Sequence, residues 1–178
     1  MTSTTPSSRP LVIYFSRPGM NYVAGSIIDL AEGNTKLLAQ EIARRTQGDL
    51  YEIEPVAPYP FAYRETTDLA QKEIDEDARP AMKSPAPDIS GYQEIYLGYP
   101  IWWGLAPRIV LTLIEALDWK DKTVHLFCTH EGSGISQSAS ELKAMLKGAR
   151  TLTGPVLAGS RIAERGTAVS DYLASIGR

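Results

Sequence analysis

The sequence contains one cysteine, Cys128, and two histidines, His125 and His130. A single thiol closes no internal disulfide and builds no multi-cysteine metal site. With so few imidazoles a zinc cage is also excluded. No stretch approaches the roughly 20 consecutive apolar residues that span a bilayer. Charge of one sign is scarce too. The net charge is −3 at pH 7, and the pI is about 5.4. That balance argues against nucleic acid or an anionic membrane as the main partner, and it is compatible with a basic protein partner. The opening MTSTTPSSRP has no apolar core, so it does not read as a secretory signal. The expectation is a flexible tail over residues 1–9, one domain over residues 10–178, and a cytoplasmic location.

What is present is a regular alternation. Hydrophobic residues make up 43% of the 178 residues, enough for a packed core. LVIYF (11–15) is β-rich and almost wholly apolar, as a strand covered on both faces must be. NTKLLAQEIARR (34–45) puts Leu38, Ala39 and Ile42 on one helical face. LYEIEP (50–55) reads as a more peripheral strand, and RETTDLAQKEIDEDA (64–78) as a surface helix between two Pro-rich connections. EIYLGYP (94–100) is the next strand. A helix starting near Pro107 follows, with Val110, Leu113, Ile114 and Leu117 as its stripe. TVHLFCT (123–129) and GPVLAG (154–159) are strands, separated by a helix over SASELKAMLKG (138–148). A last helix carries Val169, Tyr172, Leu173 and Ile176.

Strict β–α alternation predicts a parallel sheet covered by helices on both faces. The fold class is therefore α/β, a three-layer α/β/α sandwich. The five-stranded parallel sheet is expected in the order 2-1-3-4-5. Ligands of such folds sit beyond the carboxyl ends of the strands, where the strand order reverses. That rule points to three loops, after Phe15, Tyr99 and Thr129.

The first loop runs from Ser16 to Gly33, Asn34 and Thr35. A helix opening on these residues offers free N–H groups and a favourable dipole to a phosphate. The same residues also serve as ordinary helix caps. No Gly-Lys-Ser/Thr closes this loop, so it is not a Walker loop. The second loop, Pro100-Ile101-Trp102-Trp103-Gly104, places two indoles where a loop faces ligand or solvent. They either stack on a flat ring such as isoalloxazine or plug the core or an interface. The third loop, Thr129-His130-Glu131-Gly132-Ser133-Gly134, exposes backbone groups able to bond the polar edge of a ring; it is otherwise an ordinary turn. A cysteine-phosphatase loop needs an arginine where this chain has Gly134, so Cys128 reads as a small buried hydrophobe.

Together YFSRPGMNY, GNT, LGYPIWWG and FCTHEGSG, in this order at the predicted strand ends, resemble the flavodoxin-like family. The likeness is to its branch with a long first loop. The resemblance implies one FMN. Ser16, Gly33, Asn34 and Thr35 would hold its phosphate, with Arg17 beside them. Pro100, Ile101, Trp102 and Trp103 would line one side of the flavin, with Trp102 closest to the family's stacking aromatic. Thr129, His130, Glu131, Gly132, Ser133 and Gly134 would wrap its other edge. The implied function is electron transfer, with FMN cycling between redox partner proteins. The alternative is an enzyme in which NAD(P)H reduces FMN and a quinone or other small molecule accepts the electrons. A flavin-free binding module is the third reading.

One departure from the family pattern is the insert over residues 17–32. Tyr22, Val23, Ile27, Ile28 and Leu30 make it too apolar for a simple solvated loop. It either folds over the flavin or packs on another subunit as a homodimer contact.

Overall fold

The computed structural model describes residues 9–178, so the expected tail lies outside the described residues except for Arg9. In chain order the elements are β1 (Leu11–Tyr14), β2 (Gly19–Val23), β3 (Ser26–Leu30), α1 (Asn34–Thr46), β4 (Asp49–Glu52), α2 (Tyr63–Asp75) and β5 (Glu94–Pro100). They continue with α3 (Arg108–Glu115), β6 (Thr123–His130), α4 (Ser138–Met145), β7 (Arg150–Ala158), a 3₁₀ segment (Gly159–Glu164) and α5 (Arg165–Ser175).

Five strands form one sheet in the order β4-β1-β5-β6-β7. Every neighbouring pair is parallel. Counted along the chain, the sheet strands run 2-1-3-4-5, the expected order. Alternation along β1 divides the core. Leu11, Ile13 and Phe15 face one cluster, with Leu97, Tyr99, Ile109, Leu113, Leu126 and Leu142. Val12 and Tyr14 face the other, with Leu38, Ile42, Phe127, Val169 and Leu173. Both faces of β1 are thus buried, which explains its unbroken apolar run.

Boundaries differ from the sequence expectation where tertiary bonds override local signals. β7 starts at Arg150, earlier than the expected residue 154, because Arg150 N donates to Lys122 O at 2.8 Å and the strand pairs from there with β6. α2 stops at Asp75, short of residue 78, and Asp77 turns left-handed at φ +46°. α4 ends at Met145 instead of reaching Gly148. The larger departure is inside the insert. The sequence reading left residues 17–32 without regular structure, whereas β2 and β3 pair as an antiparallel hairpin, Gly19 opposite Leu30 and Val23 opposite Ser26. Its two-residue turn has positive φ at both Ala24 (51°) and Gly25 (85°), the pattern that matches the twist of a tight hairpin.

One glycine in the sheet is required by packing. Gly98 lies opposite Phe127, and a Cβ there would sit 2.0 Å from the ring's Cζ. Gly98→Ala is expected to lower the unfolding free energy by about 1–3 kcal/mol, the usual cost of overpacking a tight core. Urea denaturation of the two proteins measures it, and an unchanged midpoint would contradict this packing account.

Candidate functional site

A cavity of about 370 Å³ opens at the carboxyl ends of the strands. Its size falls within the roughly 300–1,000 Å³ of pockets that bury small ligands. Eleven residues singled out from the sequence line it: Ser16, Arg17, Asn34, Thr35, Pro100, Ile101, Trp102, Trp103, Thr129, His130 and Glu131. Gly33, Gly132, Ser133 and Gly134 stand outside the lining. Tyr22 from β2 joins the lining, as one of the two alternatives for the insert expects, and residues not foreseen complete it: Asn21 from β2, Tyr63, Thr66, Thr67 and Ala70 from α2, and Gly159 after β7.

One end is built around the first turn of α1. Gly33 is the residue before the helix, extended at φ −66° and ψ 149°. The hydroxyl of Ser16, at the end of β1, accepts the N–H of Lys36 at 3.1 Å. A Cβ on Gly33 would lie 2.2 Å from Ser16 Oγ and 2.6 Å from Arg17 O, so only glycine lets strand end and helix start meet. Because Ser16 Oγ accepts that bond, its own O–H remains available to donate. Thr35 Oγ1 and Thr129 Oγ1 are 2.7 Å apart. One of these hydroxyls donates to the other, which leaves the second O–H available to donate. The N–H groups of Asn34 and Thr35 belong to the first turn and have no partner within the helix. No acidic residue lies in that turn. Gly159 faces this end: a Cβ there would sit 2.4 Å from Asn34 Nδ2. The result is a concave set of neutral donors at the positive end of a helix, which suits a phosphate dianion.

Arg17 is neither a surface arginine nor aimed at this seat. It is 7% exposed. Its Nη1 donates to Met20 O at 2.6 Å, and its Nη2 to Pro60 O and Phe61 O at 2.7 Å each. Nε adds a bond to Pro60 O at 3.2 Å. The guanidinium therefore ties the hairpin to the loop before α2.

The other end is aromatic. Trp102 is half-buried and edge-on to Phe15 at 5.5 Å and Tyr59 at 4.9 Å. Trp102 and Leu105 exchange backbone bonds around a tight turn. At the turn's tip Trp103 has φ +54° and Gly104 φ +78°. This left-handed backbone turns the Trp103 indole outward, where it is 58% exposed and its Nε1 donates to Thr67 O at 2.9 Å. Of the two indoles, Trp102 is packed against neighbouring rings while also lining the cavity, and Trp103 is the exposed rim. Across the mouth, Tyr22 and Tyr63 pair at 6.3 Å.

The third loop is organised by its own histidine. His130 Nδ1 accepts the N–H of Gly132 at 3.0 Å and of Gly134 at 3.1 Å. Two accepted bonds require a lone pair on Nδ1, so the neutral ring carries its proton on Nε2. Burial pushes the His130 pKa below its ordinary 6.5. Cys128 is fully buried and its thiol is pushed up to about 12, which leaves it inert at neutral pH.

A parallel sheet in this order, with an anion seat after its first strand and indoles after its third, defines a flavodoxin-like architecture. The flavodoxin family model matches residues 26–173, and the chain belongs to that family. Among solved structures it is similar to a protein assigned as a flavoprotein from Bacteroides eggerthii. The two are 34% identical with a TM-score of 0.76, over 97% of this chain and 99% of that one. A second, from Bacteroides uniformis, is 30% identical with a TM-score of 0.72, over 92% and 98% of the two chains. A flavoprotein from Lactobacillus acidophilus, solved in complex with FMN, shares the fold. It is 18% identical with a TM-score of 0.64, over 90% of this chain and 99% of that one. No curated protein matches the chain. Among the described residues no helix is long and apolar enough to cross a membrane.

The lowered His130 pKa has a consequence for stability. Below pH 6.5 the unfolded histidine takes a proton that the folded ring resists, so this contribution is intact above 6.5 and lost as pH falls below it. His130→Asn keeps an acceptor that does not titrate. Relative to His130→Asn, the wild-type protein is expected to lose stability as pH falls below 6.5, measured by urea denaturation at each pH. Parallel pH profiles would show that the His130 ring is not held neutral.

Proposed function

We propose that this protein binds one FMN in the cavity and uses it to transfer electrons between redox partners. The observation that carries the reading is the pairing, in one cavity, of a neutral-donor anion seat with an indole wall. Ser16, Asn34, Thr35 and Thr129 fit a phosphate by the donors they hold out, and Gly33 and Gly159 leave the room that a Cβ would fill. Pro100, Ile101, Trp102 and Trp103 fit the apolar face of a flat ring.

The flavin would supply one- and two-electron redox chemistry, and the protein would supply orientation and access. The chain's own ionisable groups fit that division. His130 has its Nδ1 committed to two backbone amides, and Cys128 is sealed in the core. Cys128 is therefore not free for nucleophilic work, and His130 keeps only its Nε2–H to offer as a donor. The twin indoles and the apolar insert also suit a slot for a flat acceptor, which keeps an NAD(P)H-driven reductase as the second reading.

Titration with FMN, followed by quenching of flavin fluorescence, tests the site. Thr35→Ala and Asn34→Ala are each expected to weaken binding by about 1–2 kcal/mol, or roughly 5–30-fold, for a hydrogen bond to a charged group. Trp103→Ala is expected to retain FMN with brighter residual fluorescence, since the rim indole no longer lies against the ring. Unchanged affinity and spectra in all three variants would refute the site. Fast steady-state oxidation of NAD(P)H with a quinone by the FMN-loaded protein would overturn the carrier reading in favour of the reductase.

A further inference from the structure

The β2–β3 hairpin is fastened very differently at its two ends. At the base, Arg17 donates to Met20 O, Pro60 O and Phe61 O, and Met20 N donates to Phe61 O at 3.0 Å. Asn21 Nδ2 adds bonds to Arg17 O at 3.2 Å and Gly19 O at 3.0 Å. Gly19, at φ +91°, packs against Phe61, with room for a Cβ only at 3.1 Å from the ring. These bonds are at least partly shielded, several, and centred on a buried guanidinium. At the tip, Ala24 N donates to Glu131 Oε2 at 3.2 Å, an exposed contact 107 residues away in sequence. The other oxygen, Glu131 Oε1, accepts Ser160 N at 2.8 Å. A Cβ on Gly159 would touch both Asn34 Nδ2 at 2.4 Å and Glu131 Oε1 at 2.5 Å, so this carboxylate stands beside the anion seat. The outer strand, residues 26–29, is exposed throughout.

We propose that the hairpin is a cover over the anion end of the cavity, hinged at Arg17 and latched at its tip by Glu131. The proposal rests on FMN being the ligand. Glu131 is then a positioning residue: it holds Ala24 against the rim at Ser160 and sets how often the cover opens. A many-bonded base and, among the described residues, one exposed tip hydrogen bond beside the Tyr22–Tyr63 ring contact make the tip the part that opens first, since local opening follows the weakest protected bonds. The phosphate enters and leaves past Glu131 while Arg17 keeps the hairpin attached. The split of the two carboxylate oxygens between cover and rim is what a latch requires. Gln at this position keeps one acceptor oxygen and turns an amide NH2, a donor, toward the other N–H, and Ala keeps neither acceptor.

Two readouts test this. Stopped-flow fluorescence gives the association and dissociation rates of FMN for wild type, Glu131→Gln and Glu131→Ala. Hydrogen exchange of the FMN-free proteins follows the Ala24 amide and its neighbours in residues 22–26. A latch predicts that Glu131→Ala raises both rate constants and speeds exchange at the tip roughly fivefold, the worth of one exposed hydrogen bond. Glu131→Gln falls between, and exchange in α1 and α3 stays as in wild type. If the carboxylate acts only by repelling the phosphate, both variants raise association but lower dissociation and leave tip exchange unchanged, which would overturn the proposal. If FMN fails to bind wild type, the functional reading falls, while the exchange experiment still decides whether Glu131 holds the hairpin.

Discussion

The structure depends on one close approach, the end of β1 against the first turn of α1. Ser16 Oγ meets Lys36 N across a glycine with no space for a methyl group. Residues 17–32 must therefore leave and return to nearly the same point. A loop whose ends are pinned together pays most of its closure entropy at once. Pairing its two halves satisfies the backbone polar groups that the excursion would otherwise leave to solvent. The antiparallel β2–β3 hairpin is that solution, and the left-handed Ala24–Gly25 turn is the short connection that strand twist favours. The hairpin form of the insert thus follows from the pinning of its two ends, and it stands as a flap beside the cavity.

The same constraint explains how Arg17 is used. A buried guanidinium is costly unless its donors are met, and here they meet carbonyls at the base of the hairpin and the residues before α2. Thr66 Oγ1 donates to the same Pro60 carbonyl at 2.8 Å, so the strand end, hairpin and second helix are tied at one node. Once the cation serves architecture, the anion seat is left with hydroxyls, an amide and first-turn N–H groups. Neutral donors at a helix N-terminus hold a phosphate through oriented dipoles, without the long-range field of a basic patch. That agrees with a chain whose net charge is −3.

Much of this was legible in the sequence because it follows from chain-local signals. The alternation of apolar runs and helical stripes indicates the parallel sheet, five such units with a site after the first strand suit its order, and the strand-end rule points to Ser16, Asn34, Thr35, the tryptophans and Thr129. What escaped depends on contacts distant in sequence. Nothing near Arg17 indicates that its partners are the carbonyls of Pro60 and Phe61. The α2 residues Tyr63, Thr66 and Thr67 come to the cavity because Trp103 reaches across to Thr67 O. Gly159 was within reach of the same strand-end rule, since it follows the last sheet strand. The hairpin also left a trace, two β-prone runs around Ala24-Gly25, but its positive-φ alanine lacks the Asn-Gly or Asp-Gly signature of such turns. The resemblance implies Gly132 and Gly134 as ring contacts, and nothing local in the sequence shows that their N–H groups turn to the His130 ring beside them.

The second tryptophan is where local cost and function meet. A left-handed conformation costs an ordinary residue about 1–2 kcal/mol, and a bulky indole has no local hydrogen bond to offset it. Trp103 nonetheless adopts φ +54°, held by the paired backbone bonds between Trp102 and Leu105. An unstrained turn would carry residue 103 elsewhere, and the Nε1 bond to Thr67 O could not form. That bond fixes the indole plane at the mouth while leaving it 58% exposed. Trp102, packed at near right angles to Phe15 and Tyr59, gains rigidity but is only half-exposed. Rigidity and accessibility are therefore divided between adjacent residues of one type. The product of that strain is a fixed and open aromatic face at the mouth of the cavity.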